Sequence, residues 1–326
     1  MITQKTENGE SYPSYLSLYK SGELKKRVAS ALEDLKECCL CPRNCSIDRT
    51  RSNKGECRTG RNAVVSAAFP HFGEEDCLRG SRGSGTIYFS NCNMDCVFCL
   101  NRDESSHSDT GLAVKAETLA GMMLDLQNKG CHNVNFISPE HVVPQILEAL
   151  EIAAARGFSL PIVYNTSSYN NSHSLQYLDG VVDIYAADFK FWSHDLSEKY
   201  LKVSDYSKKA QESLKIMHEQ VGDLILDENG IAVKGLILRH LIMPDYFHEA
   251  KSILEFVVSN VSKNTYTNLI NQYHPAGDVS QTVFPELNRK LSFDEYESIV
   301  NMAKDIGILR ISRRRSIFSI LDESAS

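Results

Sequence analysis

Six short runs of β-branched and aromatic residues, interleaved with stretches of apolar residues at helical spacing, limit what this chain can fold into. The runs span residues 86–89, 133–137, 161–164, 182–189, 235–241 and 266–271. Helical patterns lie near 116–129, 144–155, 174–178, 207–221 and 248–259, and 292–306 supplies a last one. Strands alternating with helices imply βαβ units, in which neighbouring strands run parallel and crossovers are right-handed. Six strands are too few for a closed eight-stranded barrel. The pattern therefore predicts an α/β fold built as a partial, laterally open (β/α)6 TIM-like barrel, with a doubly wound sheet as the alternative.

The first run, Gly85-Thr86-Ile87-Tyr88-Phe89, feeds directly into Ser90-Asn91-Cys92-Asn93-Met94-Asp95-Cys96-Val97-Phe98-Cys99. Three cysteines at C-x3-C-x2-C spacing in one short loop suit a cuboidal [4Fe–4S] cluster, which usually takes four thiolates. With three, one iron keeps a position for a ligand or substrate, as open catalytic metal sites do. The C-terminal end of a strand is also where a β/α barrel places its chemistry. An ordinary zinc or redox loop is the plainer alternative.

A second cysteine group precedes it. Cys38, Cys41, Cys45 and Cys57 read as C-x2-C-x3-C-x11-C, with Cys39 as a neighbour outside the spacing. Four thiolates at such intervals close a tetrahedral zinc site or hold an auxiliary iron–sulfur cluster. Residues 16–35 form an amphipathic helical pattern leading into this group. The sequence thus divides into an N-terminal helix and cysteine-rich metal-binding segment, 1–79, and a barrel, 80–326. The two remaining cysteines, Cys77 and Cys131, are expected to be buried thiols.

The loop's C-x3-C-x-Φ-C pattern, with Phe98 as the aromatic position, resembles the signature of radical S-adenosylmethionine (SAM) enzymes. His71-Phe72-Gly73-Glu74-Glu75, Gly83-Ser84-Gly85-Thr86, Gly130-Cys131-His132-Asn133 and Arg239-His240-Leu241 narrow the resemblance to the PflX-type branch related to pyruvate formate-lyase activating enzymes. The resemblance extends from about Tyr15 to about Ile311. It implies that Cys92, Cys96 and Cys99 ligate a catalytic [4Fe–4S] cluster whose open iron binds the amino and carboxylate groups of SAM. It also implies reductive cleavage of SAM, hydrogen abstraction from a substrate such as a glycyl-radical enzyme, and an electron donor such as flavodoxin or ferredoxin.

Strand ends supply the other candidate site residues. Ser138-Pro139-Glu140-His141 follows the second strand, where radical SAM enzymes carry a Gly-Gly-Glu-Pro-like segment that contacts the SAM amino group. This chain departs from that motif, leaving Ser138, Glu140 and His141 as candidates, or a helix entry capped by Ser138. The third strand ends in Tyr164-Asn165-Thr166-Ser167, with Asn165 the cofactor-binding candidate or a turn former. On the fourth, Asp188 and Lys190 share one face of an otherwise apolar strand, so the two charges need each other or a ligand. The activating enzymes have an Asp-x-Lys at the matching place. Arg239 ends the fifth strand, where related enzymes place an arginine near the SAM carboxylate. His240 reads equally as a core histidine. Asn271-Gln272-Tyr273-His274-Pro275 is expected at the same mouth.

Ten cysteines in a chain of this length point to metal binding rather than a disulfide framework. Met1–Asn8 lacks the apolar core of a secretory signal, and no apolar run approaches the roughly 20 residues of a membrane span, so a cytoplasmic protein without membrane association is expected. A net charge of −7 argues against nucleic acid as partner. The one basic run, Arg313-Arg314-Arg315, is too short to reverse that and reads as a solvated surface. Against the enzyme stands one alternative of another class, an iron–sulfur electron carrier or redox sensor without SAM chemistry.

Overall fold

The computed structural model describes residues 4–5, 11–52, 55–102 and 110–312. The basic run 313–315 lies outside the described residues. A small ladder joins β1 (Gln4–Lys5) and β2 (Ser11–Tyr12). All other described strands belong to one ten-stranded sheet. They are β3 (Ala63–His71), β4 (Ser84–Phe89), β5 (Leu112–Val114), β6 (Val134–Ile137), β7 (Ile162–Thr166) and β8 (Ile184–Asp188). After these come β9 (Ile225–Leu226), β10 (Ala232–Leu241), β11 (Tyr266–Ile270) and β12 (Arg310–Ile311). The sheet order is β12-β11-β10-β8-β7-β6-β4-β3-β5, with β9 paired to β10.

Every neighbouring pair from β12 to β4 is parallel, whereas β3 runs antiparallel to both β4 and β5. The path ends at β5 and β12 without joining them, so the sheet is an open, partial barrel. The six runs read from the sequence are β4, β6, β7, β8, β10 and β11. Strands β6 and β7 are buried at every residue, as parallel strands covered on both faces must be.

The described helices are α1 (Tyr15–Ser21), α2 (Glu23–Glu33), α3 (Asp76–Arg79), α4 (Ala116–Asn128) and α5 (Val143–Ala155). They continue with α6 (Ser172–Leu178), α7 (His194–Leu201), α8 (Tyr206–Val221), α9 (Phe247–Asn260) and α10 (Phe293–Ile306). The single helix expected over 16–35 is two helices and a 3₁₀ turn. Gly22 divides them at φ +77°, where its N–H caps the Tyr19 carbonyl; glycine enters that left-handed region without strain.

Strand β3 was not foreseen, since its alanines and Pro70 weaken a strand signal. It places part of the N-terminal 1–79 segment inside the barrel sheet. Tyr15, Leu24, Ala31, Ala63 and Val65 share one hydrophobic core with Ile87, Phe136 and Tyr164. No described helix is long and apolar enough to cross a membrane.

Sheet register does the rest. Arg239 pairs with Asp188 on one side and with Asn268 on the other, so three polar residues from β8, β10 and β11 stand in one row. Ile137 of β6 pairs likewise with Asn165 of β7.

Candidate active site

The cysteine loop leaves β4 at Ser90, whose N–H donates to the Val64 carbonyl (2.9 Å) and whose hydroxyl donates to Thr110 (2.8 Å). Asn91 then turns at φ +66°. The apolar members Met94, Val97 and Phe98 are buried. Phe98 meets Phe191 and Tyr273 edge-on at ring-centroid distances of 6.0 and 6.5 Å. The Val97 N–H donates to Tyr200 (2.9 Å) and its carbonyl accepts from Asp278 (2.7 Å). With those residues anchored, Cys92, Cys96 and Cys99 line a cavity of about 330 Å³. That is near the lower end of ligand pockets, roughly 300–1,000 Å³.

Ser138, Asn165, Asp188, Lys190 and Arg239 line the same cavity. Lys190 Nζ donates to Asp188 Oδ2 at 2.5 Å, and Arg239 Nε lies 3.1 Å from Asp188 Oδ1. Burial would raise the Asp188 carboxyl, but the Lys190 ammonium and Arg239 guanidinium outweigh it and hold it below its usual range. Burial would likewise lower Lys190, and Asp188 followed by Cys96 reverses the sign. Both members of the pair are charged. Burial pushes the Cys96 thiol up to about 12, with Lys190 opposing, and raises Cys92 well above its ordinary value. A metal cluster must therefore displace protons from these thiols as it binds.

Two carboxylates that the sequence offered only as part of a family word complete the floor. Glu74 Oε2 lies 3.6 Å from Arg239 Nη1 and Glu75 Oε1 lies 3.7 Å from Arg239 Nε. Asn268 Nδ2 donates to Glu75 Oε1 (2.7 Å), and His71 Nδ1 is 3.2 Å from Glu74 Oε1. Arg239 is thus held among three carboxylates. The signal lay on the fourth and fifth strands alone, where two cations, Lys190 and Arg239, faced one carboxylate, Asp188, and buried charges need partners.

Glu140 and His141 are buried but do not line the cavity. Glu140 Oε1 accepts from Thr166 Oγ1 (2.7 Å), Ser167 N (2.6 Å) and Ser167 Oγ (2.7 Å), and so fixes two residues that do line it. His141 Nε2 lies 3.0 Å from the Ser90 carbonyl, bracing the start of the cysteine loop from behind. His240 is a core histidine, with Nδ1 2.7 Å from the Phe189 carbonyl. Asn271 and Gln272 reach the mouth. Tyr273 instead donates to Leu287 (2.8 Å), and His274 is exposed.

The earlier cysteines meet elsewhere. Cys38, Cys41, Cys45 and Cys57 line a second cavity of about 10 Å³ together with Arg49 and His141. Cys39 faces the Ser46 hydroxyl at 3.6 Å instead. Burial raises Cys41 to about 12, against the Arg43 N–H and the Asn93 side chain, which donate to its sulfur. All ten cysteines are free thiols, and Cys77 and Cys131 are buried apart from both groups. Among the described residues, no group of three or more His, Cys, Asp or Glu side chains stands ready-made for a single metal ion.

An open β/α barrel whose first parallel strand delivers three cysteines to a pocket ringed by polar strand ends is the arrangement that the resemblance to radical SAM enzymes implies. No protein-family model matches the chain. The uncharacterized protein MJ0674 of Methanocaldococcus jannaschii is 29% identical over 298 residues, covering 89% of this chain and 80% of that protein. Streptococcus suis SuiB is similar in structure with a TM-score of 0.49 and 11% identity over 71% of this chain, which spans about half (48%) of SuiB. A domain of pyruvate-formate lyase-activating enzyme from Bacteroides vulgatus gives a TM-score of 0.38 and 13% identity, covering 53% of this chain and 89% of that domain.

Proposed function

We propose that the protein is a radical SAM enzyme in which Cys92, Cys96 and Cys99 hold a [4Fe–4S] cluster with one iron open to SAM. The observation that carries this reading is the single cavity that collects the three cysteines and the polar ends of β6, β7, β8, β10 and β11. Once reduced, such a cluster supplies the electron that cleaves SAM to methionine and a 5′-deoxyadenosyl radical, which abstracts hydrogen from the substrate. Ser138, Asn165, Thr166 and Ser167 offer short polar groups for the SAM amino acid and ribose, with Glu140 fixing the last two. Asp188 and Lys190 present an oriented ion pair beside Cys96. Arg239 is engaged by Glu74, Glu75 and Asp188, which makes it an orienting residue for the cavity floor more than a free anion site.

The resemblance to activating enzymes favours a backbone glycine of a partner protein as hydrogen donor, with flavodoxin or ferredoxin as reductant. An oxygen-sensitive cluster and ten free thiols suit a reducing compartment such as the cytoplasm. A simple electron carrier needs a shielded, fully ligated cluster, and a cavity of about 330 Å³ opening on the cysteines argues against one.

The test is anaerobic reconstitution with iron and sulfide, followed by reduction with and without SAM. Wild-type protein is expected to bind about four irons at this loop, to change its reduced EPR signal when SAM is added, and to release 5′-deoxyadenosine. Cys96→Ala is expected to abolish all three. A fully loaded, reduced wild-type cluster that ignores SAM would return the protein to the electron-carrier class.

A further inference from the structure

Among the described residues Arg49 is the largest fully buried side chain, only 2% exposed. Its guanidinium donates to the carbonyls of Thr59 (2.7 Å), His141 (2.8 Å) and Gly60 (3.3 Å), and Nη1 lies 3.6 Å from Cys38 Sγ. Among the described residues no carboxylate pairs with it. A guanidinium stays charged, and a buried charge without a counter-charge is costly. The anion that belongs beside it must come from the four thiols that share its cavity.

We propose that Cys38, Cys41, Cys45 and Cys57 bind one zinc-class ion, and that this site holds the start of the Cys92–Cys99 loop in position from behind. On binding, four thiols lose four protons to give a tetrathiolate of net charge −2. Arg49 within the cavity, and Arg43 on the adjoining turn, offset that charge. The space between the thiols, about 10 Å³, matches one water-sized body, the size of a single ion. Four soft thiolates select zinc among common divalent ions and close its coordination. The sulfurs do not yet form a ready ion cage, so binding turns the thiols about their Cα–Cβ bonds. His141 lines the same cavity and is 1% exposed, so the site is closed off from solvent on that side.

Two bridges connect this site to the loop. Arg43 Nε donates to the Asn93 carbonyl at 2.9 Å, while the Asn93 side chain donates to the Cys41 sulfur and to Tyr169 (3.0 Å). The other runs from Cys38 through Arg49 and His141 to the Ser90 carbonyl. Ser90 and Asn93 bracket Cys92, so an ion that fixes Cys38 and Cys41 fixes the residue that begins the three-cysteine loop. The second half of the proposal rests on that loop being a cofactor site, and the first half does not.

The full-length chain, expressed with both zinc and iron and purified anaerobically, tests both halves. With Cys92, Cys96 and Cys99 all changed to Ala, about one zinc per chain is expected to remain, with no iron–sulfur absorbance. Exchange for cobalt is expected to give the visible bands of a tetrahedral thiolate site. A variant without any bound metal, its four N-terminal thiols alkylated under native conditions, would overturn the ion site, and iron–sulfur absorbance in it would overturn the single ion. The half-buried Cys45 tests positioning, since Cys45→His keeps a zinc ligand and Cys45→Ala does not. In iron-free protein, hydrogen exchange at residues 90–94 is expected to be at least tenfold faster in zinc-free Cys45→Ala than in the zinc-bound wild type, and to return to the wild-type rate in zinc-bound Cys45→His. Unchanged exchange in a zinc-free Cys45→Ala chain would overturn the coupling, whatever becomes of SAM cleavage.

Discussion

The two cysteine groups use one side chain in opposite settings. Cys92, Cys96 and Cys99 follow a strand end and look into a cavity of about 330 Å³, whereas Cys38, Cys41, Cys45 and Cys57 surround one of about 10 Å³. The first group has polar strand ends opposite it, with room for a second molecule. The second has a buried arginine and a buried histidine against it, and no such room. Thiol count and spacing alone separate neither case. What separates them is where the backbone ends: a parallel strand stops at Phe89 and opens a mouth, while the 38–57 segment folds back on itself through Cys38 N–H to Ile47 and Ser46 N–H to Cys38, both 3.0 Å.

The largest expected effect falls on the open site through Gly277. This residue sits at φ +62°, and a Cβ there would stand 2.5 Å from the Val97 carbonyl oxygen and 3.2 Å from the Cys99 nitrogen. Those are backbone atoms of the cysteine loop, so an added methyl must push the loop itself. Gly277→Ala is expected to cost about 3 kcal/mol, since left-handed strain adds to the clash. Iron bound after anaerobic reconstitution is expected to fall severalfold while metal at the N-terminal cysteines stays constant. If iron loading is unchanged, the 276–279 turn does not brace the loop.

A smaller effect is expected from Asp188→Asn, which strands Lys190 but leaves Arg239 with Glu74 and Glu75. Removing one partner of this partly buried pair is expected to cost about 2 kcal/mol after allowing for its remaining exposure. The sign with pH follows from the depressed carboxyl. Its stabilisation is complete above the unfolded value of about 4 and is lost as pH falls through the lower folded value. Denaturant titrations are therefore expected to show a constant gap between wild type and variant from about pH 5 to about pH 9, closing below about pH 4. A gap that instead changes around neutrality would mean that another group carries the charge.

The parts that the sequence made legible are those governed by short-range pattern. Period-two alternation paired Asp188, the last residue of β8, with Lys190 two residues beyond it, and strand–helix alternation gave the parallel sheet. Cysteine spacing chose Cys38 over Cys39, and the 10 Å³ cavity is lined by Cys38 and not by Cys39. What stayed hidden depends on register between distant segments. Glu75 becomes a neighbour of Arg239 only because β3 pairs antiparallel with β4, and nothing local in Gly73-Glu74-Glu75 announces it. Glu140 and His141 followed a strand end as a ligand set would, yet both turn back into the core, one to Thr166 and Ser167, the other to Ser90. Arg49 was invisible for a similar reason: its partners are carbonyls up to 92 positions away, which leave no trace in side-chain pattern.

The smallest expected effect is a control that touches neither cysteine group. Helix α10 begins at Ser292, whose hydroxyl accepts from the Glu295 N–H at 3.2 Å while the Glu295 carboxylate accepts from the Ser292 N–H at 2.9 Å. This capping box satisfies two backbone donors that the first turn would otherwise leave open. Ser292→Ala removes one arm of it, and Glu295 keeps Arg289 as a partner at 2.6 Å. The expected loss is about 1 kcal/mol, read as a shift in denaturation midpoint with unchanged slope. Iron and zinc contents are both expected to match wild type, because α10 contributes none of the seven proposed ligands. Were either metal to fall along with the cap, its site would be responding to global stability, and the separate effects of Gly277→Ala and Cys45→Ala would have to be reread in that light.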